Sequence, residues 1–288
     1  MAVRVEEYQA KKVLNVHKHI DGGWFWTRYT AYPYLGCVFG CQYCYCRDKR
    51  YCPFKNPDDF GKLVRVKKNA PELLKKELSK VDKDVIGVGD WQPIEKKYRF
   101  SRKMLEICLD LGFPVYLLEK SPLVLDDLDL LKKINQKAGA GISFSIITDK
   151  DDKTRKIFEP DAPSVKSRFE AMKKISQAGI ETGTVMIPVL PFVYDSQENI
   201  EAVIKMTKES GGQYVLAGGL TLWGEVKFYY YGVLNKHFPD LVKKYVRIFD
   251  NEKAEDDYWQ PIARTVSRLC AKYKILDHIP RPLKHLPK

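Results

Sequence analysis

Short apolar runs recur along the chain, separated by longer stretches whose apolar residues fall at helical spacing. The runs 29–34, 84–89, 115–119, 141–147, 183–187 and 214–217 are rich in β-branched and aromatic residues and bounded by turn formers, so each predicts a strand. Between them, 69–80, 102–111, 125–137, 164–178 and 196–209 predict helices. Asn69 and Ser101 stand at expected N-caps, Pro71 in a first turn, and Gly112, Gly179 and Gly211-Gly212 at helix ends. Two further helices are expected near 235–247 and 254–272. Alternation of this kind builds a parallel sheet with helices outside. Six units predict an α/β fold, a partial (β/α)6 TIM-like barrel with a helical C-terminal extension. The expected division is 1–28 as an N-terminal lead, 29–220 as the barrel, and 221–288 as the extension covering it. In such folds chemistry sits at the carboxyl ends of the strands.

The first strand runs directly into Gly36-Cys37-Val-Phe-Gly-Cys41-Gln-Tyr43-Cys44-Tyr45, so this C-x3-C-x2-C loop belongs on that face. Three thiolates on one tight loop suit three irons of a cubane iron–sulfur cluster, whose usual complement is four cysteines. The fourth iron would be left open, and open metal positions do chemistry. Zinc is the alternative. It prefers paired C-x2-C motifs or spaced histidines; no second pair occurs, but Cys46, Cys52, His17 and His19 are near enough in sequence to keep it open. Cys108 and Cys270 read as small apolar residues buried in helices.

Charge and composition narrow the class. The chain has 288 residues, 44% hydrophobic and 30% charged, enough for a real core. No apolar run reaches the roughly 20 residues of a membrane helix, and the first residues lack a signal-peptide core. A cytoplasmic protein without a membrane partner is expected, and clustered cysteines there argue for metal or redox chemistry. Net charge is +12, with 12 basic against 6 acidic residues in 47–83 and three basic residues in 281–288. Such an excess attracts polyanions, which makes nucleic acid a candidate partner. The clusters Trp24-Phe25-Trp26 and Phe228-Tyr-Tyr-Tyr231 suit either base stacking or a lid over the barrel, and the lid is preferred.

The ordered set of motifs resembles radical S-adenosylmethionine (SAM) enzymes, and within them the spore photoproduct lyase-like group, also described as DNA repair photolyase-like. Its carriers are Tyr34-Leu-Gly-Cys37 through Tyr45, Lys67-Lys-Asn-Ala-Pro-Glu72, Gly89-Asp90-Trp91-Gln92-Pro93-Ile94-Glu95, Leu118-Glu-Lys120-Ser121-Pro122, Ser143-Phe-Ser145-Ile-Ile-Thr148, Glu159-Pro160 through Ser164, and Ala178-Gly179-Ile180. The resemblance spans about residues 29–220. It implies a [4Fe–4S] cluster on Cys37, Cys41 and Cys44 that cleaves SAM reductively, giving methionine and a 5′-deoxyadenosyl radical that abstracts hydrogen from a substrate. An electron donor of the ferredoxin or flavodoxin type is implied as well. The hydrogen-donating cysteine of spore photoproduct lyase proper would fall near Gly87, where none stands. The resemblance therefore implies the radical machinery rather than thymine-dimer repair.

The resemblance also implies cofactor contacts for Tyr43, Asp90, Lys120, Ser145 and Gly218. Tyr43 would lie beside the adenine. Asp90, with Gln92 and Glu95, follows the second strand, where a charge needs a partner and the methionine amino group or the substrate would supply one. Lys120 is a point charge for the SAM carboxylate, and Ser145 a hydroxyl for that carboxylate or the ribose. Gly218 would let backbone approach the adenine. Arg168 ranks below these. No catalytic residue is assigned. The rival reading, from another class, is a zinc-stabilised nucleic-acid-binding protein without catalysis.

Overall fold

The computed structural model describes residues 3–18 and 25–281; His19, Trp24 and the basic tail beyond Arg281 lie outside them. The strands are β1 (Arg4–Tyr8), β2 (Leu14–Val16), β3 (Tyr29–Ala31), β4 (Tyr34–Leu35), β5 (Leu63–Lys67), β6 (Ile86–Val88), β7 (Val115–Glu119), β8 (Ala140–Ser145), β9 (Glu181–Met186) and β10 (Val215–Ala217). The helices are α1 (Ala70–Leu78), α2 (Glu95–Tyr98), α3 (Phe100–Leu111), α4 (Leu128–Lys137), α5 (Lys153–Phe158), α6 (Val165–Gln177), α7 (Gln197–Glu209), α8 (Gly224–His237), α9 (Val242–Ile248) and α10 (Glu252–Tyr273).

Seven strands form the main sheet in the order β10-β9-β8-β7-β6-β3-β2. The six from β3 to β10 run parallel, and β2 pairs antiparallel with β3 at the edge. This is the expected partial barrel with helices outside. One face of each strand packs on that layer: Ile86, Val115, Ile142 and Met186 meet Leu74, Met104, Leu131, Met172 and Val203. Cys108 and Cys270 are buried in the same core. Among the described residues no helix is long and apolar enough to cross a membrane.

Some local expectations change. The stretch 29–34 is not one strand. The chain leaves the barrel after Ala31, and β4 pairs antiparallel with β5 in a separate sheet ordered β1-β5-β4. Pro33 lacks an N–H to extend β3, and its carbonyl accepts from Lys67 N at 2.9 Å instead. Asn69 does not cap α1; its side-chain amide pairs with both backbone groups of Ala10, at 2.8 and 2.9 Å. Ser101 lies inside α3 and exchanges hydrogen bonds with the backbone of Asp90. The helix expected near 235–247 is two, α8 and α9, separated at Phe238-Pro239 because proline disfavours a helical residue before it. Sequence reasoning left β1, β2, β5, α2 and α5 unassigned.

Side chains on the inner strand faces fill the lower barrel. Tyr116, Val185, Tyr214 and Leu216 cluster there with Phe25, Trp26 and Ile279. Trp26 Nε1 donates to the Ile279 carbonyl at 2.7 Å, so segments from both ends of the chain close the base. Phe25 and Trp26 thus cover the barrel at its foot, not over its mouth. At Gly183 a Cβ would lie 2.5 Å from Tyr214 Cδ2. Gly183→Ala is expected to destabilise the fold by about 1–3 kcal/mol through overpacking, read as a lower denaturant midpoint with an unchanged slope.

Candidate functional site

The cysteine loop leaves β4 through Gly36, whose φ of 84° and surroundings exclude a side chain. A Cβ there would lie 2.5 Å from the Leu63 carbonyl oxygen and 2.8 Å from Phe54 Cζ. Two turns then present the thiols: Gly40 N donates to Cys37 O and Cys44 N to Cys41 O, each at 3.3 Å. Buried Gln92, after β6, clasps the entry. Its Nε2 donates to Gly36 O at 3.1 Å and its Oε1 accepts from Val38 N at 3.1 Å. Arg47 grips the other side, donating to Cys41 O at 3.0 Å and Gly40 O at 2.7 Å. Its guanidinium lies between the rings of Phe60, at 4.6 Å, and Tyr229, at 4.0 Å.

Burial drives the Cys37 thiol upward and pushes Cys41 up to about 12. A hydrogen bond with Cys46 instead lowers Cys44 to about 7. Neutral buried thiols are costly to ionise unless a cation takes the thiolate form, and metal binding supplies that cation while releasing the protons. Two of the three side chains remain partly accessible. The donor set fits a cubane, which spreads its ligands over three irons. A single zinc ion needs four donors converging on one point. Among the described residues no three of His, Cys, Asp and Glu converge in that way.

Across the mouth, sequence-distant groups meet at Glu159, which is fully buried. Tyr43 donates its hydroxyl to Glu159, and Arg168 pairs with the same carboxylate. Lys120 and Arg155 each reach it at 3.4 Å. Lys120 also donates to Ser145 Oγ and stands 5.6 Å from the centre of the Tyr43 ring. Arg168 continues to Ser145 O at 2.9 Å and Pro163 O at 2.7 Å. Burial alone would raise the Glu159 carboxyl; Lys120 and Arg168 override it and hold it at about 2.

Residues 32–219 match the sequence profile of the Radical SAM superfamily. The chain belongs to that superfamily. Among its relatives, an uncharacterised protein of Methanocaldococcus jannaschii is 29% identical over 267 residues, covering 92% of this chain and 94% of that one. An uncharacterised protein of Mycobacterium tuberculosis is 26% identical over 264 residues, 88% of this chain and 77% of that one. The radical SAM Nalpha-GlyT isomerase of Pseudomonas phage M6 is 25% identical over 238 residues, 77% of this chain and 46% of that one. The fold is similar to spore photoproduct lyase complexed with dinucleoside spore photoproduct, with a TM-score of 0.64 at 13% identity, covering 94% of this chain and 81% of that one. A mutant of that lyase with bound AdoMet and the dinucleoside gives 0.63 at 15% identity, covering 92% and 81%.

In this radical SAM enzyme, Tyr43, Lys120 and Ser145 converge as a group at the ends of β7 and β8. Asp90 joins the mouth from β6: its carboxylate accepts from Gln92 Nε2 at 2.7 Å and Gln92 N at 3.2 Å. Burial pushes Asp90 up to about 7, and its charge in turn raises Cys37. Gly218 stands apart, beyond β10 and two strands from Ser145. Its N–H donates to Met186 O at 3.2 Å and its carbonyl accepts from Val189 N at 2.9 Å. The following residues, Gly219 to Thr221, line a cavity of about 250 Å³ floored by Trp259 and Phe249.

Two expected roles change. Gln92 serves the cysteine loop, and Glu95 turns away to bind Tyr34 and the N–H of Ser101 at 2.8 Å. Glu159 and Arg47 carried no role in the sequence reading. The signal for Glu159 was a carboxylate inside a motif, four residues after Arg155 and just ahead of the helix that carries Arg168; nothing in the sequence marked Arg47.

Removing the carboxylate leaves buried cations without their partner. Glu159→Gln is expected to destabilise the protein by about 3–5 kcal/mol, measured by chemical denaturation. Because the folded carboxyl titrates near 2 and an unfolded one near 4.3, its stabilisation is complete above the unfolded value. It is lost as pH falls toward 2, by on the order of 3 kcal/mol. The variant should lack that acid-side slope, which unfolding free energies between pH 5 and 2 would show.

Proposed function

We propose that this radical SAM enzyme holds a [4Fe–4S] cluster on Cys37, Cys41 and Cys44 and acts on nucleic acid. The observation that carries the cluster assignment is the loop itself: three thiols at the carboxyl end of the barrel strands, fixed from both sides by Gln92 and Arg47. When bound, the cluster supplies the electron that splits SAM to methionine and the 5′-deoxyadenosyl radical.

The protein's own groups bind and orient. Lys120 offers an ammonium to the SAM carboxylate, with Ser145 beside it as a second polar contact. Asp90, held by Gln92, accepts the amino group. The Tyr43 ring gives the adenine an apolar face, and the glycine pair Gly218-Gly219 allows close backbone approach beside the cavity. Within the barrel, the packed base keeps water from the lumen below. Residues 29–220 would form the barrel unit, with the helices α8 to α10 as its C-terminal extension, and an electron donor of the ferredoxin or flavodoxin type serves the cluster.

Nucleic acid is supported by the net charge of +12 and by the rim. Tyr45 and Tyr51 pack edge to face at 5.0 Å, and both are exposed. Arg50 stacks 4.7 Å over exposed Trp223. Cations interleaved with aromatic faces suit stacked bases. The lyase of similar fold binds a dinucleoside.

Anaerobic reconstitution followed by dithionite and SAM is expected to yield 5′-deoxyadenosine, and Cys41→Ala to abolish both the iron content and the product. A fully loaded wild-type protein yielding none would overturn the assignment. Binding of a fluorescent single-stranded oligonucleotide should weaken steeply with salt and fall further in Trp223→Ala; salt-independent or absent binding counts against a nucleic-acid substrate.

A further inference from the structure

Three arginines of the described chain are nearly inaccessible: Arg47, Arg155 and Arg168. Arg155 and Arg168 both pair with Glu159. Among the described residues, Arg47 has no carboxylate within ion-pair distance. Its partners are the carbonyls of Cys41 and Gly40 and the faces of Phe60 and Tyr229. A buried charge without a counter-charge is costly. Carbonyls and ring faces return part of that cost but leave a full positive charge in a poorly solvated place.

The charge lies against the backbone of the proposed ligand Cys41. Its setting is also built from two parts of the chain. Phe60 comes from the segment before β5, and Tyr229 from α8, where its hydroxyl donates to Gln42 in the same loop. Lys49 pairs with Glu225 at 2.6 Å, bringing the start of α8 onto the turn that follows Cys44. This arrangement holds the guanidinium in one place.

We propose that Arg47 is the counter-charge of the thiolate-bound cluster: a positioning residue that fixes the loop and eases one-electron reduction. The inference rests on Cys37, Cys41 and Cys44 being the cluster ligands. A [4Fe–4S] core carries two positive charges when oxidised and one when reduced. With three thiolates the assembly is therefore net negative, and more so after it takes an electron. A fixed cation nearby favours the more negative state, and in a site of low effective dielectric the effect is large.

The test compares wild type with Arg47→Met, Arg47→Lys and Tyr229→Phe. Each is reconstituted without oxygen and titrated with dithionite, and the reduced cluster is followed by electron spin resonance. R47M, which keeps length and apolar stem, should make reduction at least tenfold less favourable, a shift of about 59 mV or more to lower potential for one electron. R47K should retain most of the wild-type potential because it keeps the charge. Y229F keeps the ring face and should leave the potential in place, although the loop loses its tie to Gln42. Amide exchange of the metal-free proteins reads positioning separately: residues 40–44 should exchange faster in both Arg47 variants.

An R47M cluster with full iron content and the wild-type potential would overturn the proposal. If R47M folds but holds no iron, R47K decides. Iron retained at near-wild-type potential supports a requirement for charge, and loss in both variants shows that only the guanidinium's hydrogen-bond geometry matters, which overturns it. Wild-type protein that takes up no iron would instead refute the ligand assignment beneath.

Discussion

One carboxylate organises the catalytic end of the barrel. Glu159 is surrounded by Lys120, Arg155, Arg168 and the Tyr43 hydroxyl, so a single negative charge joins the end of β7, helices α5 and α6, and the cysteine loop. Burying any of these groups alone would be prohibitive. Together they form a network in which three cations share one buried carboxylate, Arg155 also pairs with Asp151, and most donors find oxygen acceptors. Such networks favour a unique geometry over sheer stability, and geometry is what a loop of three thiols needs. Tyr43 lies between Cys41 and Cys44, so its bond to Glu159 transmits the position of the sheet directly to the thiols.

The other supports of the loop act on its backbone. Gln92 satisfies a carbonyl and an N–H on either side of Cys37, as a neighbouring strand would. Arg47 does the same for the carbonyls of Gly40 and Cys41. These supports fix the backbone of the loop and leave its three thiols to their own surroundings, Cys44 bonding to Cys46. The rigid barrel supplies one support, and the 3-10 turn Tyr45–Arg47, with α8 behind it, supplies the other.

The architecture was legible in the sequence where periodicity was strong. The apolar runs at 84–89, 115–119, 141–147 and 183–187 became β6 to β9, and the place of the cysteine loop just after the first strand put it at the carboxyl end of the sheet. What escaped was long-range. Asn69 reads as a helix cap, yet Ala10, in the link between β1 and β2, claims its amide. Glu95 reads as a ligand-binding carboxylate after a strand, yet Tyr34 and α3 occupy it. β1 and β2 are short and mostly exposed, and β5 carries Arg65 and Lys67 among buried residues, so pairing rather than pattern defines them. Lys120 and Ser145 could be placed near a mouth from strand position alone, but their meeting at Glu159 depends on how α5 and α6 return across the sheet.

The seal at the foot of the barrel joins Trp26 to the carbonyl of Ile279, more than 250 positions later in the chain. During synthesis Trp26 leaves the ribosome long before Ile279 does. Until Ile279 follows, the bond that ties the two segments across the base cannot form. The cysteine loop, which closely follows Trp26 in the chain, is thus made before the base beneath it can be tied shut.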